Sequence, residues 1–242
     1  MNADSQKDSS QIVWPPLIKG VLLKRYKRFM ADIVLADGET VTAHCANSGR
    51  MIACSQPGRP VYLSTHDNPR RKLKYTWEMI EMPESLVGVN TMIPNKLVAA
   101  AIQSGNVPEL NGYDSVRREV KAGKKSRLDI YLAGENGKDC FVEVKNCTLV
   151  TNGLAQFPDA VTARGRKHLL EMEQLVSEGF RCVMFYLIQR MDASAFSPAD
   201  HIDPEYGKAV RMVAAKGVEL LAYDVIIDLS GLRLGRRIPV LL

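Results

Sequence analysis

Three residues carry the most informative chemistry in this chain. Asp129 lies in the run Ser126-Arg-Leu-Asp-Ile-Tyr-Leu132, and Glu143 and Lys145 lie in Cys140-Phe-Val-Glu-Val-Lys145. Both runs read as short strands. Between them stands Glu135-Asn136-Gly137, a three-residue hairpin loop with Gly137 at the left-handed position. Pairing is then symmetric about residue 136, which sets Asp129 directly opposite Glu143. Two carboxylates opposed across a ladder repel, and unpaired charge in apolar strands is costly. A divalent cation between them, Mg²⁺ or Mn²⁺, removes both penalties, because hard cations take carboxylate oxygens. Lys145 is two residues past Glu143 and shares its face of the strand. The Val144 carbonyl offers a further ligand, and Glu119 in Arg117-Arg-Glu-Val120 a third carboxylate.

An aspartate followed by Glu-x-Lys on the adjacent strand is the core of the PD-(D/E)XK nuclease pattern. In such a centre metal ions polarise a phosphate and generate hydroxide. Lys145 would stabilise the attacking water or the developing negative charge. The expected catalytic set is Asp129, Glu143 and Lys145, and the expected metal ligands are Glu119, Asp129 and Glu143. Taken singly, the same residues also fit a solvated sheet face. The hairpin register, and a basic helix after it, favour the site.

The elements around these residues alternate. Pro94 to Gln103 reads as a short helix closed by Gly105. Pro158 to Ser177 is the longest helical stretch, with Val161, Leu169, Met172 and Val176 as its apolar face and Gly179 as its stop. It carries Arg164, Lys167 and His168 about one turn apart, placed to bind phosphate. Arg181 to Gln189 is a strand buried on both faces, with Gln189 at its end. Pro204 to Lys216 is another helix, and Val218 to Tyr223 another strand. The pattern is a mixed-sheet α/β domain over residues 84–242.

The first third differs. After a polar tail, 1–16, residues 17–83 hold about five short strands, broken at Asp37-Gly38, Asn47-Ser-Gly49 and Gln56-Pro-Gly58. That spacing predicts a small OB-fold-like β-barrel. Two basic clusters interleave cations with aromatics: Lys24, Arg25, Tyr26, Lys27 and Arg28, then Arg70, Arg71, Lys72 and Lys74 ahead of Tyr75 and Trp77. Cations track phosphates, and aromatics stack on bases or fill a core. Residues 1–82 hold 12 lysines and arginines against 8 aspartates and glutamates, so most of the net charge of +5 sits here. No helix-turn-helix or zinc-finger pattern supplies a base-reading helix, so sequence preference is expected to be weak.

Composition excludes other classes. Of 242 residues, 46% are hydrophobic and 24% charged, as in ordinary globular proteins. No apolar run approaches membrane-spanning length, and the N-terminus lacks a signal-peptide pattern. The expected location is the cytoplasm, with no membrane partner. Five cysteines without a CxxC read as reduced, packed thiols. No glycine-rich phosphate loop or dinucleotide fingerprint marks a metabolic enzyme.

From about Leu17 onward the chain resembles the sugar fermentation stimulation protein A (SfsA) family. The resemblance rests on Arg25-Tyr-Lys-Arg-Phe-Met-Ala-Asp32, Thr42-Ala-His-Cys-Ala-Asn-Ser-Gly49, Asp67 to Glu78, Gly88-Val-Asn-Thr91, Ser126-Arg-Leu-Asp129, Val142-Glu-Val-Lys145, Phe157 to Thr162 and Arg164-Gly-Arg-Lys-His-Leu169. It implies an N-terminal OB-fold domain, a C-terminal PD-(D/E)XK (restriction-endonuclease-like) domain, DNA binding without sequence specificity, and a regulatory link to sugar, particularly maltose, metabolism. The family often has an acid where this chain has Ala163 in Val-Thr-x-Arg-Gly. The expected function is nonspecific DNA binding in a regulatory role; the alternative is a Mg²⁺- or Mn²⁺-dependent DNA endonuclease.

Overall fold

A computed structural model describes residues 10–122, 126–134 and 137–242. The strands are β1 (Ile12–Val13), β2 (Leu17–Tyr26), β3 (Met30–Leu35), β4 (Thr40–His44), β5 (Pro60–Thr65), β6 (Tyr75–Glu81), β7 (Leu86–Gly88), β8 (Ser115–Ala122), β9 (Ser126–Ala133), β10 (Cys140–Cys147), β11 (Leu149–Thr151), β12 (Leu154–Phe157), β13 (Arg181–Ile188), β14 (Ala195–Pro198), β15 (Glu219–Ile227) and β16 (Gly231–Arg237). The helices are α1 (Pro94–Gln103), α2 (Ala163–Ser177) and α3 (Pro204–Ala215).

β2 to β6 form a closed five-stranded barrel. The antiparallel chain β4-β3-β2-β5-β6 is sealed by a parallel pairing of β4 with β6 at Ala43↔Tyr75 and His44↔Thr76. Closure removes both sheet edges. Inward residues Leu22, Ile33, Leu63 and Trp77 are fully buried in its core. β7 adds antiparallel to β6, so the first sheet runs on to Gly88. The segment before β2 is tied to the other domain, because β1 pairs with β16 and Trp14 is buried against that sheet's core.

The second sheet runs β1-β16-β15-β13-β10-β9-β8. β10, β13 and β15 are parallel, and the flanking pairs are antiparallel. Successive β10 side chains face opposite layers. Val142 and Val144 join Leu97, Val98 and Ile102 of α1, with Tyr62 and Met79 of the barrel in the same core. Phe141 and Cys147 join Leu169 and Met172 of α2 and Tyr206 and Val210 of α3. Glu143 and Lys145 share the parity of Phe141, so they face α2.

α2 begins five residues later than its sequence predicts. Thr162 is its N-cap, with Oγ1 accepting from Gly165 N at 3.0 Å. Ahead of the cap, Asp159 accepts from the barrel's Met51 N at 2.8 Å. A capping hydroxyl and a tertiary bond thus set the start where helical periodicity does not reveal it. Val161 consequently lies outside the helix, 69% exposed, while Leu175 completes the apolar face. All five cysteines are buried and free. Among the described residues, no helix is long and apolar enough to cross a membrane.

Candidate metal centre and nucleic-acid interface

The predicted register between β9 and β10 holds for three pairs, Cys140↔Leu132, Phe141↔Tyr131 and Val142↔Ile130, and stops one residue short of Asp129. The loop residues 135–136 lie outside the described residues. At Asp129 the strands part. Its Oδ2 accepts from Val144 N at 2.8 Å, and its Oδ1 accepts from Asn95 Nδ2 of α1 at 2.6 Å. A side-chain carboxylate thus takes up a main-chain donor of β10 past the end of the ladder. The β8–β9 pairing is also interrupted here: Arg118↔Ile130 and Val120↔Leu128 are paired, and the intervening Glu119 has φ +56°. Asp129 therefore sits at a fork in the sheet instead of in a closed pair with Glu143.

Glu143 is 2% exposed. Its Oε1 accepts from Lys145 Nζ at 2.6 Å and from His168 Nδ1. Its Oε2 is buried with no partner, and an orphaned carboxylate oxygen in a dry site is costly. Burial pushes the Glu143 carboxyl up, but the bonds from His168 and Lys145 outweigh it and hold the group below its ordinary value. Asp129 goes the other way. Burial, then the neighbouring Glu143 charge, push it up to about 6 despite its Val144 and Asn95 bonds. One acid is held ionised by two donors, and the other resists ionising beside it.

This donor set fits a hard cation. A bare Glu143 oxygen and a reluctant Asp129 carboxylate both gain from a positive ion. Among the described residues no three His, Cys, Asp or Glu side chains form a complete cage. Mg²⁺ is commonly held by one or two carboxylates, with waters and substrate phosphate completing its shell. Glu119 does not join. It falls between the pairs Arg118↔Ile130 and Val120↔Leu128, but its side chain is 57% exposed, with its carboxylate 4.0 Å from Arg127. The left-handed backbone at Glu119, φ +56°, breaks the strand alternation at this point of β8.

His168 also differs from expectation. It is buried on Glu143, and its Nε2 accepts from Arg164 Nε at 3.5 Å. It orients the acid and presents no free face to phosphate. Arg164 and Lys167 are exposed, Lys167 within 3.5 Å of Glu171. Sequence reasoning missed Asn95, a polar residue in the first turn of a helix whose remainder, Leu97 to Ile102, is apolar. Gln189 is fully buried, with Nε2 donating to Asn146 Oδ1 at 2.8 Å and Oε1 unpartnered.

The basic clusters of the barrel divide. Arg25 donates to the carbonyls of Asn47, Gly49 and Arg50 at 2.7, 2.9 and 3.3 Å. It braces the 47–50 loop, so its guanidinium is engaged by main-chain carbonyls. Tyr26 donates to Asp32 Oδ1 at 3.0 Å. Lys27 and Arg28 turn the β2–β3 hairpin with positive φ and are exposed, and Lys24 is exposed 3.5 Å from Asp32. Arg70, Arg71, Lys72 and Lys74 are exposed, with Arg71 touching Thr76 Oγ1 at 3.3 Å.

The model of the SfsA N-terminal OB domain matches residues 23–89, and that of the sugar fermentation stimulation protein RE domain matches residues 92–231. The chain belongs to the SfsA family. A sugar fermentation stimulation protein homolog of Pelobacter propionicus is 52% identical over 228 residues, covering 94% of this chain and 99% of that one. The homolog of Geobacter metallireducens is 53% identical, covering 94% and 98%. The Pyrococcus furiosus SfsA structure, in complex with Ca²⁺, superposes with a TM-score of 0.87 at 25% identity, covering 96% and 98%. The SfsA architecture is thus an OB domain followed by a mixed α/β domain, as read from the sequence.

Proposed function

We propose that this chain binds DNA and carries a divalent-metal-dependent phosphodiesterase centre at Asp129, Glu143 and Lys145. The observation that carries the reading is the buried, unpartnered Glu143 Oε2 beside an Asp129 whose pKa is raised. The Ca²⁺ held by the Pyrococcus furiosus relative supports a divalent ion. When bound, Mg²⁺ or Mn²⁺ supplies phosphate polarisation and an acidified water. The chain's own residues do the rest. Glu143 Oε2 and Asp129 would hold the ion, and His168 and Asn95 fix the two carboxylates from opposite faces of the sheet. Lys145, whose side chain is 12% exposed, is placed to stabilise negative charge as it develops.

Outside the centre, Lys27, Arg28, Arg70, Lys72 and Lys74 form an exposed cationic surface with no acidic partner within ion-pair range among the described residues. This surface favours a second reading, occupancy of DNA in a regulatory role, to which the relatives' names tie sugar fermentation. About six phosphate contacts would cost roughly a thousandfold in affinity between 50 and 200 mM salt. The domain division at 83/84 is part of the same proposal, with the barrel as DNA grip and the second domain as the metal centre.

The test is incubation of the purified protein with plasmid and single-stranded DNA in EDTA, Mg²⁺ or Mn²⁺. Cleavage in the metal lanes alone, lost in Glu143→Ala with DNA binding retained, is the expected result. Salt-sensitive binding without cleavage in any lane would leave occupancy as the function.

A further inference from the structure

A cavity of about 340 Å³ opens between the barrel and the second domain, next to the metal centre. Asn146 and Cys147, directly after Lys145 on β10, form part of its wall, as does Thr162 ahead of Arg164. Barrel residues 47–49 and Arg28 line the other side. We infer that this cavity receives a single unstacked nucleobase of a bound DNA strand. The inference rests on the proposed action on DNA.

Four observations converge. First, the volume is at the lower end for small-ligand pockets, about 300–1,000 Å³, which suits one base. Second, the lining is mostly neutral. Ser48, Thr91, Asn146 and Gln156 offer hydroxyls and amides, which pair with base edges, and Arg28 is its single basic residue. Among the described residues the Ser48 hydroxyl and the Gln156 amide have no protein partner, and Asn146 Oδ1 is occupied by Gln189, which leaves its NH₂ to bond. Third, Phe157 supplies an aromatic wall already fixed against Tyr206 and Tyr186 at ring distances of 5.3 and 6.0 Å.

Fourth, the walls are braced by hydrogen bonds, and the rim carries one exposed apolar side chain beside the exposed Arg28 and Ser48. Arg25 binds three carbonyls of the 47–50 loop, Asn47 Nδ2 donates to Val89 O at 3.0 Å, and Asp159 holds Met51 N. A Cβ at Gly49 would meet Asp159 Oδ2 at 2.7 Å, so only glycine lets the loop approach this closely. At the rim Val161 is 69% exposed. An exposed apolar tip beside a base-sized cavity is suited to fill the gap that an extruded base leaves in the stack. Extrusion costs a few kcal/mol and least for a base already unpaired. The cavity should therefore favour DNA carrying an unpaired nucleotide.

The experiment measures binding of the full-length protein in EDTA by fluorescence anisotropy. The probes are a perfect duplex, the same duplex with one bulged nucleotide, and one with an abasic bulge. The wild type is expected to bind the bulged nucleotide about tenfold tighter than the perfect duplex and to gain nothing from the abasic bulge. Ser48→Trp, which fills the cavity from an exposed position, and Gln156→Leu, which removes a base-edge partner, should lose that preference while keeping duplex affinity. Equal gain from both bulges, or a preference that survives Ser48→Trp, would overturn the inference while leaving DNA binding intact. Loss of binding to every probe would overturn the proposed function itself. Free dAMP bound by the wild type and not by Ser48→Trp, with no bulge preference, would make this a mononucleotide site and overturn the assignment to a DNA strand.

Discussion

Glu143 and Asp129 show how neighbours, more than residue type, set the state of an acid. Glu143 is the more buried, yet two donors on one oxygen hold it ionised. Asp129 is pushed up to about 6, so its charged form is disfavoured in the native state. In the unfolded chain it titrates near its ordinary value of 3.8. The native protein therefore binds more protons than the unfolded chain between about pH 4 and pH 6, and this site's contribution to stability falls as pH rises through that window. In EDTA, Asp129→Asn is expected to be about 2 kcal/mol more stable than wild type at pH 8 and equal to it at pH 4, as read from urea melts. Arg25 and Arg28, three residues apart, are expected to separate in the same assay. Arg25→Ala strips three carbonyls of their donor and should cost about 2–3 kcal/mol. Arg28→Ala should change stability by less than about 0.5 kcal/mol and weaken DNA binding instead.

At the scale of elements, α2 must be placed so that His168 reaches Glu143, and Asp203 places it. This fully buried N-cap of α3 accepts from Tyr206 N at 3.0 Å, from Thr162 N at 2.8 Å and from Arg166 at 2.9 Å. It therefore joins the starts of both helices on one side of the sheet. Asp203→Ala is expected to cost about 3 kcal/mol in urea melts, more than the roughly 1 kcal/mol of an isolated cap, because the half-buried Arg166 and two main-chain donors lose their acceptor together. Strand identities and the β9–β10 register were legible from composition and the spacing about residue 136. The fork at Asp129 was not, since it depends on Glu119 adopting a left-handed backbone on a third strand. The late start of α2 was equally hidden, because Asp159 is engaged by a loop 108 residues earlier in the chain.

Across the whole molecule the two domains share a core. Tyr62 and Met79 of the barrel pack among residues of α1 and the central sheet. The connection is pinned by Gly88 N to Gln189 O at 2.9 Å and Thr91 N to Ala46 O at 2.9 Å. The Met51–Asp159 bond crosses the same seam beside the cavity. Asp159→Ala is expected to cost about 1–2 kcal/mol and to speed amide exchange over residues 47–51, with β10 and β13 unchanged. Uniform acceleration in both domains would show that the seam is not a local latch.

The sequence by itself determined the strand-rich first third, the α/β remainder and the family, and it picked out the acids and the lysine of the proposed centre. These follow from local periodicity, turn chemistry and contiguous motifs, all of which act over a few residues. Tertiary structure decided which oxygen of Glu143 is left bare, that His168 and Asn95 orient the carboxylates, that Arg25 braces a loop while its neighbours face solvent, and that Glu119 stays outside. Each depends on where a side chain meets an element distant in sequence. Such contacts are set by the packing of two layers and a barrel around shared cores, and periodicity carries no record of them.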